Sequence, residues 1–292
     1  LIPSDFEEAL PDYQVPEVQR TPLTKLFLQA RGISDSIKAS VAGNPEAEER
    51  LDFQAASPAA LLAQLPAPPS EAAVRAAVKE LALLGVLTEE VETAKVSTIG
   101  LLALQLPLDA RLCRLVWLGG LWGCVAEAVV LAAACSTPAP FEAPSRLAFG
   151  DAKEFSDRLR QSARSRRFFD GGHFSEPIMC LRLFNSWARR LALFSRTTVH
   201  QQAWSKATLS LAEDEAVDPA KMSRFISFVA DVAMRAREVC SDARDDENAC
   251  SVRADLHNLL RLLRRPDLTN AEQRERAAEL ATPVRLGEVF KA

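Results

Sequence analysis

The stretch Leu106-Pro107-Leu108-Asp109-Ala110-Arg111-Leu112 divides the chain into two kinds of sequence. From Pro107 onward every segment reads as helix. The spacing of apolar residues predicts helices over 109–118, 125–134, 152–167, 179–194, 198–212, 219–240, 251–264 and 271–280. Pro138, Pro140 and Pro144 form one connector, and Asp170, Gly171 and Gly172 form another. No alternating strand pattern appears among them. Short helices in series, joined only by turns, predict an α-helical bundle.

Upstream of Leu106 the pattern is mixed. Residues 1–19 are polar and interrupted by Pro3, Pro11 and Pro16, as in a linker. Pro22 opens a helix expected over 23–30 and ended by Gly32. Residues 33–69 read as mostly irregular, with 34–50 as a surface insertion. Ser70 then caps a helix whose dipole Glu71 complements, and Val74, Val78 and Leu81 form its apolar stripe up to Gly85. Val86–Leu87 and Lys95–Thr98 are short extended pieces flanking an acidic tip of Glu89, Glu90 and Glu92. Gly100 ends that hairpin before a short helix over 101–106. Helix, loop, helix and small hairpin follow the order of a winged helix. The expected fold is mainly α: a winged-helix domain over 20–106 with an insertion near 34–69, then a helical domain over 107–265. Residues 266–292 are a C-terminal extension with no complete five-stranded OB-fold.

Composition agrees with a helical globular protein. The 292 residues can hold two hydrophobic cores, and few aromatics and a single Tyr favour helix over sheet. Net charge is −4, so a nucleic-acid surface would have to be local. The run from Arg158 to Arg167 supplies such a patch, with Arg158, Arg160, Arg164, Arg166 and Arg167; it reads either as a solvated helix face or as a phosphate-contacting surface. The six cysteines form no C-x-x-C pair and no histidine stands at zinc-ligand spacing, so they are expected as buried thiols in a reducing compartment. The apolar segment 115–136 is no membrane span: Glu127 interrupts it and the glycines at 119, 120 and 123 split it, whereas a span needs about 20 continuous apolar residues. The chain opens on Leu1 and is expected to be a fragment.

No catalytic constellation is visible. The phosphate-cradling G-x-x-x-x-G-K-[ST] loop, the G-x-S-x-G elbow and the H-E-x-x-H zinc helix are all missing from the sequence. Glu213-Asp214-Glu215-Ala216 follows no apolar strand and is not read as a Mg²⁺ site. No catalytic residue and no metal site is expected.

Four stretches in order carry a resemblance. They are Pro16-Glu17-Val18-Gln19-Arg20-Thr21-Pro22-Leu23; Leu81 to Leu87 with Ser97-Thr98-Ile99-Gly100; Leu106 to Leu112; and Gly171-Gly172-His173-Phe174 with Asn185-Ser186-Trp187. Together they resemble the DEAH/RHA-box RNA helicases, in the winged-helix and helicase-associated (ratchet) region that follows the two RecA-like ATPase domains. The third stretch is similar to the family's leucine-proline-leucine-aspartate-proline-arginine-leucine segment, and Gly123-Cys124 fits a glycine-cysteine step after it. The chain departs from the pattern at Gly172, where the family has an acidic residue, and in a longer distance from His173 to Asn185 that includes Pro177.

The resemblance implies an accessory segment that guides single-stranded RNA and couples it to a RecA-like core not contained in this sequence. ATP and Mg²⁺ would belong to the parent helicase, and this segment would need neither. Its partners would be RNA, the RecA-like core and possible activator proteins, inside the cell in nucleus or cytoplasm, and not a membrane. Candidate RNA-binding residues are Arg158, Arg164, Arg166, Arg167, His173, Asn185 and Arg189. For His173 the structural reading, a loop cap, comes first, and Asn185 could equally bond a facing backbone. Arg20, Asp109 and Arg111 are candidate interdomain residues. Phe168, Phe169, Phe174, Phe184 and Trp187 lie among the basic residues of 158–196 and offer stacking faces, although Trp187 is better explained as core. Two other readings compete. One is a helical protein–protein scaffold, suggested by the acidic patches; the other is a duplex-DNA-binding winged helix, for which Arg75 and Lys79 beside Glu71 and Glu80 are a poor reading face.

Overall fold

A computed structural model describes residues 16, 20, 23–41, 57–196, 200–242 and 247–263. Among these the chain is mainly α, as expected, with eleven α-helices and one short 3₁₀ turn. The chain divides into two compact units, Leu1–Leu104 with Asp109–Arg111, and Gln105–Leu108 with Leu112–Ala292.

The first unit contains α1 (Thr24–Val41), α2 (Pro58–Ala63), α3 (Glu71–Leu83) and α4 (Thr98–Gln105), whose last residue falls in the second unit. Helix α1 does not stop at Gly32. That glycine sits inside the helix, where a Cβ would lie 3.3 Å from Leu104 Cδ2; it admits a close neighbour and does not end the helix. The continuation is hidden in the sequence because its inward face is polar. Phe27 and Leu28 are followed on that face by buried Arg31 and Ser34. Arg31 is satisfied there, paired to Asp35 at 3.1 Å and donating to the Glu92 carbonyl at 3.1 Å. Residues 33–41 and 58–63 are therefore helical where irregular chain was expected; 42–56 lie outside the described residues.

Helix α3 follows its sequence signals. The Ser70 hydroxyl accepts the Ala73 N–H at 3.2 Å, and Val74, Ala77, Val78 and Leu81 are buried. Gly85, with φ +73°, turns the chain into a minimal hairpin. The two extended pieces meet at one antiparallel bridge, Leu87 to Val96, flanked by bonds from Thr88 N to Lys95 O and from Ser97 N to Val86 O. The hairpin ends earlier than expected, because Ser97 caps α4 by accepting the Gly100 N–H. Gly100 lies within α4, where a Cβ would come within 2.6 Å of the Val86 carbonyl oxygen. It is needed for the helix to lie against the bridge.

The second unit contains α5 (Ala110–Leu121), α6 (Val125–Ser136), α7 (Ala152–Asp170), α8 (Glu176–Phe194), α9 (His200–Glu215), α10 (Pro219–Asp242) and α11 (Glu247–Leu263); the first residues of α5 belong to the first unit. Helix α6 is apolar on all sides but for Glu127 in its first turn and its exposed C-terminal Cys135 and Ser136, and it packs against α8, α10 and α11, which is what such a helix requires. No helix among the described residues is long and apolar enough to cross a membrane. The break between α5 and α6 falls at Trp122–Cys124, where Gly123 has φ +69°, and not at Gly119. Glu127 of α6 is half-buried; desolvation first, and the nearby Asp255 carboxylate third, raise its carboxyl above the usual range against one opposing backbone hydrogen bond.

Helices α7 and α8 each run three residues further toward their shared turn than periodicity predicts, and Pro177 sits in the first turn of α8. A Pro there loses no hydrogen bond. The aromatic core beneath α8 joins Phe184, Trp187, Trp204 and Phe225, with Trp187 fully buried and donating from Nε1 to Thr208 Oγ1 at 3.1 Å. Cys113, Cys180 and Cys240 are buried as expected. Cys124 is half-buried and Cys135 is exposed, which corrects the expectation for those two; the side chain of Cys250 lies outside the described residues. Burial pushes the Cys180 thiol up to about 12, so it is a neutral packing group. The expected helix over 271–280 and most of residues 1–22 also lie outside the described residues.

Candidate nucleic-acid interface

Helix α7 starts at Asp151, whose carboxylate accepts the Lys153 N–H at 3.1 Å, and ends at left-handed Gly171. It buries Ser162, Ser165 and Phe169, residues three and four apart that define one inward face. That geometry sorts the arginines of α7 and α8 into two groups.

The first group is engaged inside the unit. Arg158 forks onto Glu142, with Nε to Oε2 at 2.7 Å and Nη2 to Oε1 at 2.6 Å, and donates from Nη1 to Gln161 at 2.7 Å. The Ser162 hydroxyl donates to the Glu142 carbonyl at 2.8 Å. The Arg166 guanidinium lies over the Phe141 ring, 5.2 Å from its centroid. Arg190 of α8 donates to Ser210 and Asp214, each at 2.6 Å, and reaches Glu215 at 4.0 Å. Ser165 donates to Glu215 at 2.6 Å, and Gln161 to the Glu213 carbonyl at 3.2 Å. The carboxylates of Asp214 and Glu215, with the Glu213 backbone carbonyl, are thus the counterpart of this seam. Among the described residues no group of three metal-capable side chains occurs.

The second group faces water. Arg164 and Arg167 on α7 and Arg189 on α8 are exposed, and none has an ion-pair partner among the described residues. Arg160 is also exposed, but it pairs with Asp157 at 3.3 Å. Two aromatic rings of this segment are also exposed: Phe168 on α7 is 65% exposed and Phe174 in the turn after it is 95% exposed.

The turn joining α7 to α8 is organised by Asp170. Its carboxylate accepts the Gly172 N–H and the Ser175 N–H, both at 3.1 Å, and its carbonyl accepts the His173 N–H. Desolvation acts to raise this carboxyl. The backbone donors of Phe174, Ser175 and Gly172, with a smaller contribution from His173, outweigh it and hold the group below the usual carboxylate range. Phe174 is left with φ +51°, a left-handed conformation that an aromatic residue rarely adopts. Arg182 of α8 lies across the same turn, close enough that a Cβ at Gly171 would come within 2.7 Å of its Cζ.

Of the candidates from sequence, Arg164, Arg167, Arg189 and His173 are exposed on α7, α8 and their turn, whereas Arg158 and Arg166 are half-buried and engaged by Glu142 and Phe141. Asn185 is half-buried, and its Oδ1 is buried with no hydrogen-bond partner in the structure. Arg20 is exposed. Asp109 accepts the Arg111 N–H at 3.0 Å, and Arg111 donates to Glu80 of α3 at 2.8 Å. That hydrogen bond, then the charges of Glu80 and Asp109, raise the Arg111 pKa further. The sequence reading missed two residues, Asp170 as the organiser of the turn and Arg182. An Asp just before Gly-Gly is a recognisable signal for a side-chain-to-backbone turn. Arg182, eleven positions beyond Gly171, offers no such signal.

No family model matches the chain. Its sequence aligns with the DExH-box ATP-dependent RNA helicase DExH1 of Arabidopsis thaliana, 26% identical over 187 residues, covering 64% of this chain and 15% of that protein. It aligns with the mouse ATP-dependent RNA helicase TDRD9 at 28% over 195 residues, covering 64% and 12%. It aligns with the rat ATP-dependent DNA/RNA helicase DHX36 at 28% over 178 residues, covering 61% and 14%. The homologues of this chain are therefore DExH/DEAH-box helicases, and it spans less than a sixth of the length of each of these three.

Proposed function

We propose that this chain is the winged-helix and ratchet region of a DExH/DEAH-box RNA helicase, and that it guides single-stranded RNA along the outer side of α7 and α8. The RecA-like core of the parent protein would supply ATP hydrolysis with Mg²⁺, and this region would couple strand position to that motor without hydrolysing ATP itself. The division of the chain beside Leu106 supports a winged-helix unit followed by a ratchet unit. The observation that carries the reading is the sorting of the arginines. Among the described residues Arg164, Arg167 and Arg189 have no carboxylate to neutralise them, although the protein as a whole is acidic.

Binding to single strands should fall with salt, because each phosphate neutralised releases condensed counterions. The test is anisotropy of a labelled oligoribonucleotide across a salt series, with an Arg164→Ala/Arg167→Ala/Arg189→Ala variant alongside. With about 0.7 log unit of slope per phosphate on single strands, the variant should flatten the log–log slope by about 2. Wild-type protein that fails to bind at low salt, or a variant with an unchanged slope, overturns the reading. The scaffold alternative is weakened by the seam, since Asp214 and Glu215 are engaged within the unit.

A further inference from the structure

Beyond phosphate contact, we propose that Phe168 and Phe174 are stacking platforms for two bases of the strand. The inference rests on the RNA-guiding reading and adds to it the part of the strand that is recognised. The aromatics of this region divide as the arginines do. Phe169, Phe184 and Trp187 are buried in the core, so their faces are unavailable. Phe168 and Phe174 present theirs to water.

Phe168 is held by a ring contact, and Phe174 is restricted at its backbone. Phe168 sits edge-on against Phe169, with centroids 5.1 Å apart at 80°, and Phe169 in turn contacts Phe141 at 5.9 Å. A core aromatic thus fixes the orientation of the surface one, leaving its outer face bare. Phe174 is held through its backbone. The Asp170 carboxylate takes up the amides of the turn and keeps Phe174 at φ +51°, with the ring 95% exposed. Gly or Asn is the ordinary occupant of such a position. A bulky apolar side chain there buries almost no surface on folding, which leaves both ring faces open to a ligand.

The surroundings select the occupant. An apolar protein partner would meet Arg164 and Arg167 beside Phe168 and would have to desolvate them without compensation. A single-stranded polyanion satisfies both features, phosphates on the guanidinia and base faces on the rings, and stacking of this kind tolerates any base.

The experiment compares two labelled strands of equal length, an oligoribonucleotide with bases and an abasic ribose-phosphate strand, at one fixed salt concentration. The full 292-residue chain is used in wild-type, Phe168→Ala, Phe174→Ala and Phe174→Trp forms. Each alanine variant should bind the base-bearing strand roughly tenfold more weakly. Each should bind the abasic strand as wild type does. Phe174→Trp should restore affinity, and Phe174→Ala should leave Tm unchanged because the ring is exposed. Equal losses on both strands, or no loss on either, overturn the stacking role while leaving salt-dependent RNA binding intact. Wild-type protein that binds neither strand overturns both readings together.

Discussion

Helix α7 carries five arginines within ten residues, and its two sides use them in opposite ways. On the inner side Arg158 and Arg166 have partners for their guanidinia, a bidentate carboxylate in one case and an aromatic face in the other. On the outer side Arg160 has only its helical neighbour Asp157, Arg164 and Arg167 have no partner among the described residues, and Phe168 stands beside them. What separates them is phase. Ser162, Ser165 and Phe169 point inward, and every other side chain takes its role from its angle to that line. A basic run is therefore informative about binding only after its inward residues are known.

The neighbouring pair Phe168 and Phe169 gives the largest expected contrast. Phe169 is 3% exposed and packs on Phe141, so Phe169→Ala should destabilise the chain by about 3–5 kcal/mol through lost burial and a cavity. Phe168→Ala, one residue earlier, should cost less than about 1 kcal/mol, as surface substitutions do. Urea denaturation of both variants measures this. Similar losses from the two would mean that α7 is rotated from the phase described.

The arginines repeat the contrast at a smaller scale. Arg158→Ala leaves the half-buried Glu142 carboxylate without its bidentate partner, and should cost about 2 kcal/mol. Arg164→Ala should change stability by no more than about 0.5 kcal/mol. Thermal melts at one pH and salt decide it. If Arg164→Ala were as destabilising as Arg158→Ala, Arg164 would have an internal role and could not be assigned to a strand.

Much of this was readable from sequence, for reasons that differ by element. Helix α3 was legible because Ser70, its apolar stripe and Gly85 all give the same answer. The mainly α fold and the helical series after Pro107 follow from periodicity alone. The continuation of α1 beyond Gly32 was not legible, because its inward face carries Arg31 and Ser34, whose burial depends on Asp35 and the distant Glu92 carbonyl. The start of α4 was missed because Gly100 reads as a breaker, when it is in fact a close-packing position. In the candidate interface the residue types and the region were evident. Which arginines stay free was not, because Glu142, Phe141 and Glu215 lie 16 to 50 positions from the groups they engage.

The turn between α7 and α8 tests the comparison at its finest scale, since one carboxylate sets how Phe174 is presented. The Asp170 carboxyl is held below its ordinary range in the folded chain. A group depressed on folding contributes stability that is present above its unfolded pKa, about 3.9, and is lost as pH falls through the folded value. Asp170→Asn keeps a side-chain acceptor for the backbone amides but cannot titrate. The difference in Tm between wild type and Asp170→Asn should therefore be constant from neutral pH down to about pH 5 and should shrink below about pH 4. The size of the effect is small, because the group is at the surface. A companion measurement follows the Gly172 and Ser175 amide resonances, which should move with the same acid transition in wild type and stay fixed in the variant. If those amides ignore pH, Asp170 does not organise the turn. Phe174 would then have to be held in its left-handed conformation by the packing of Gly171 against Arg182 alone.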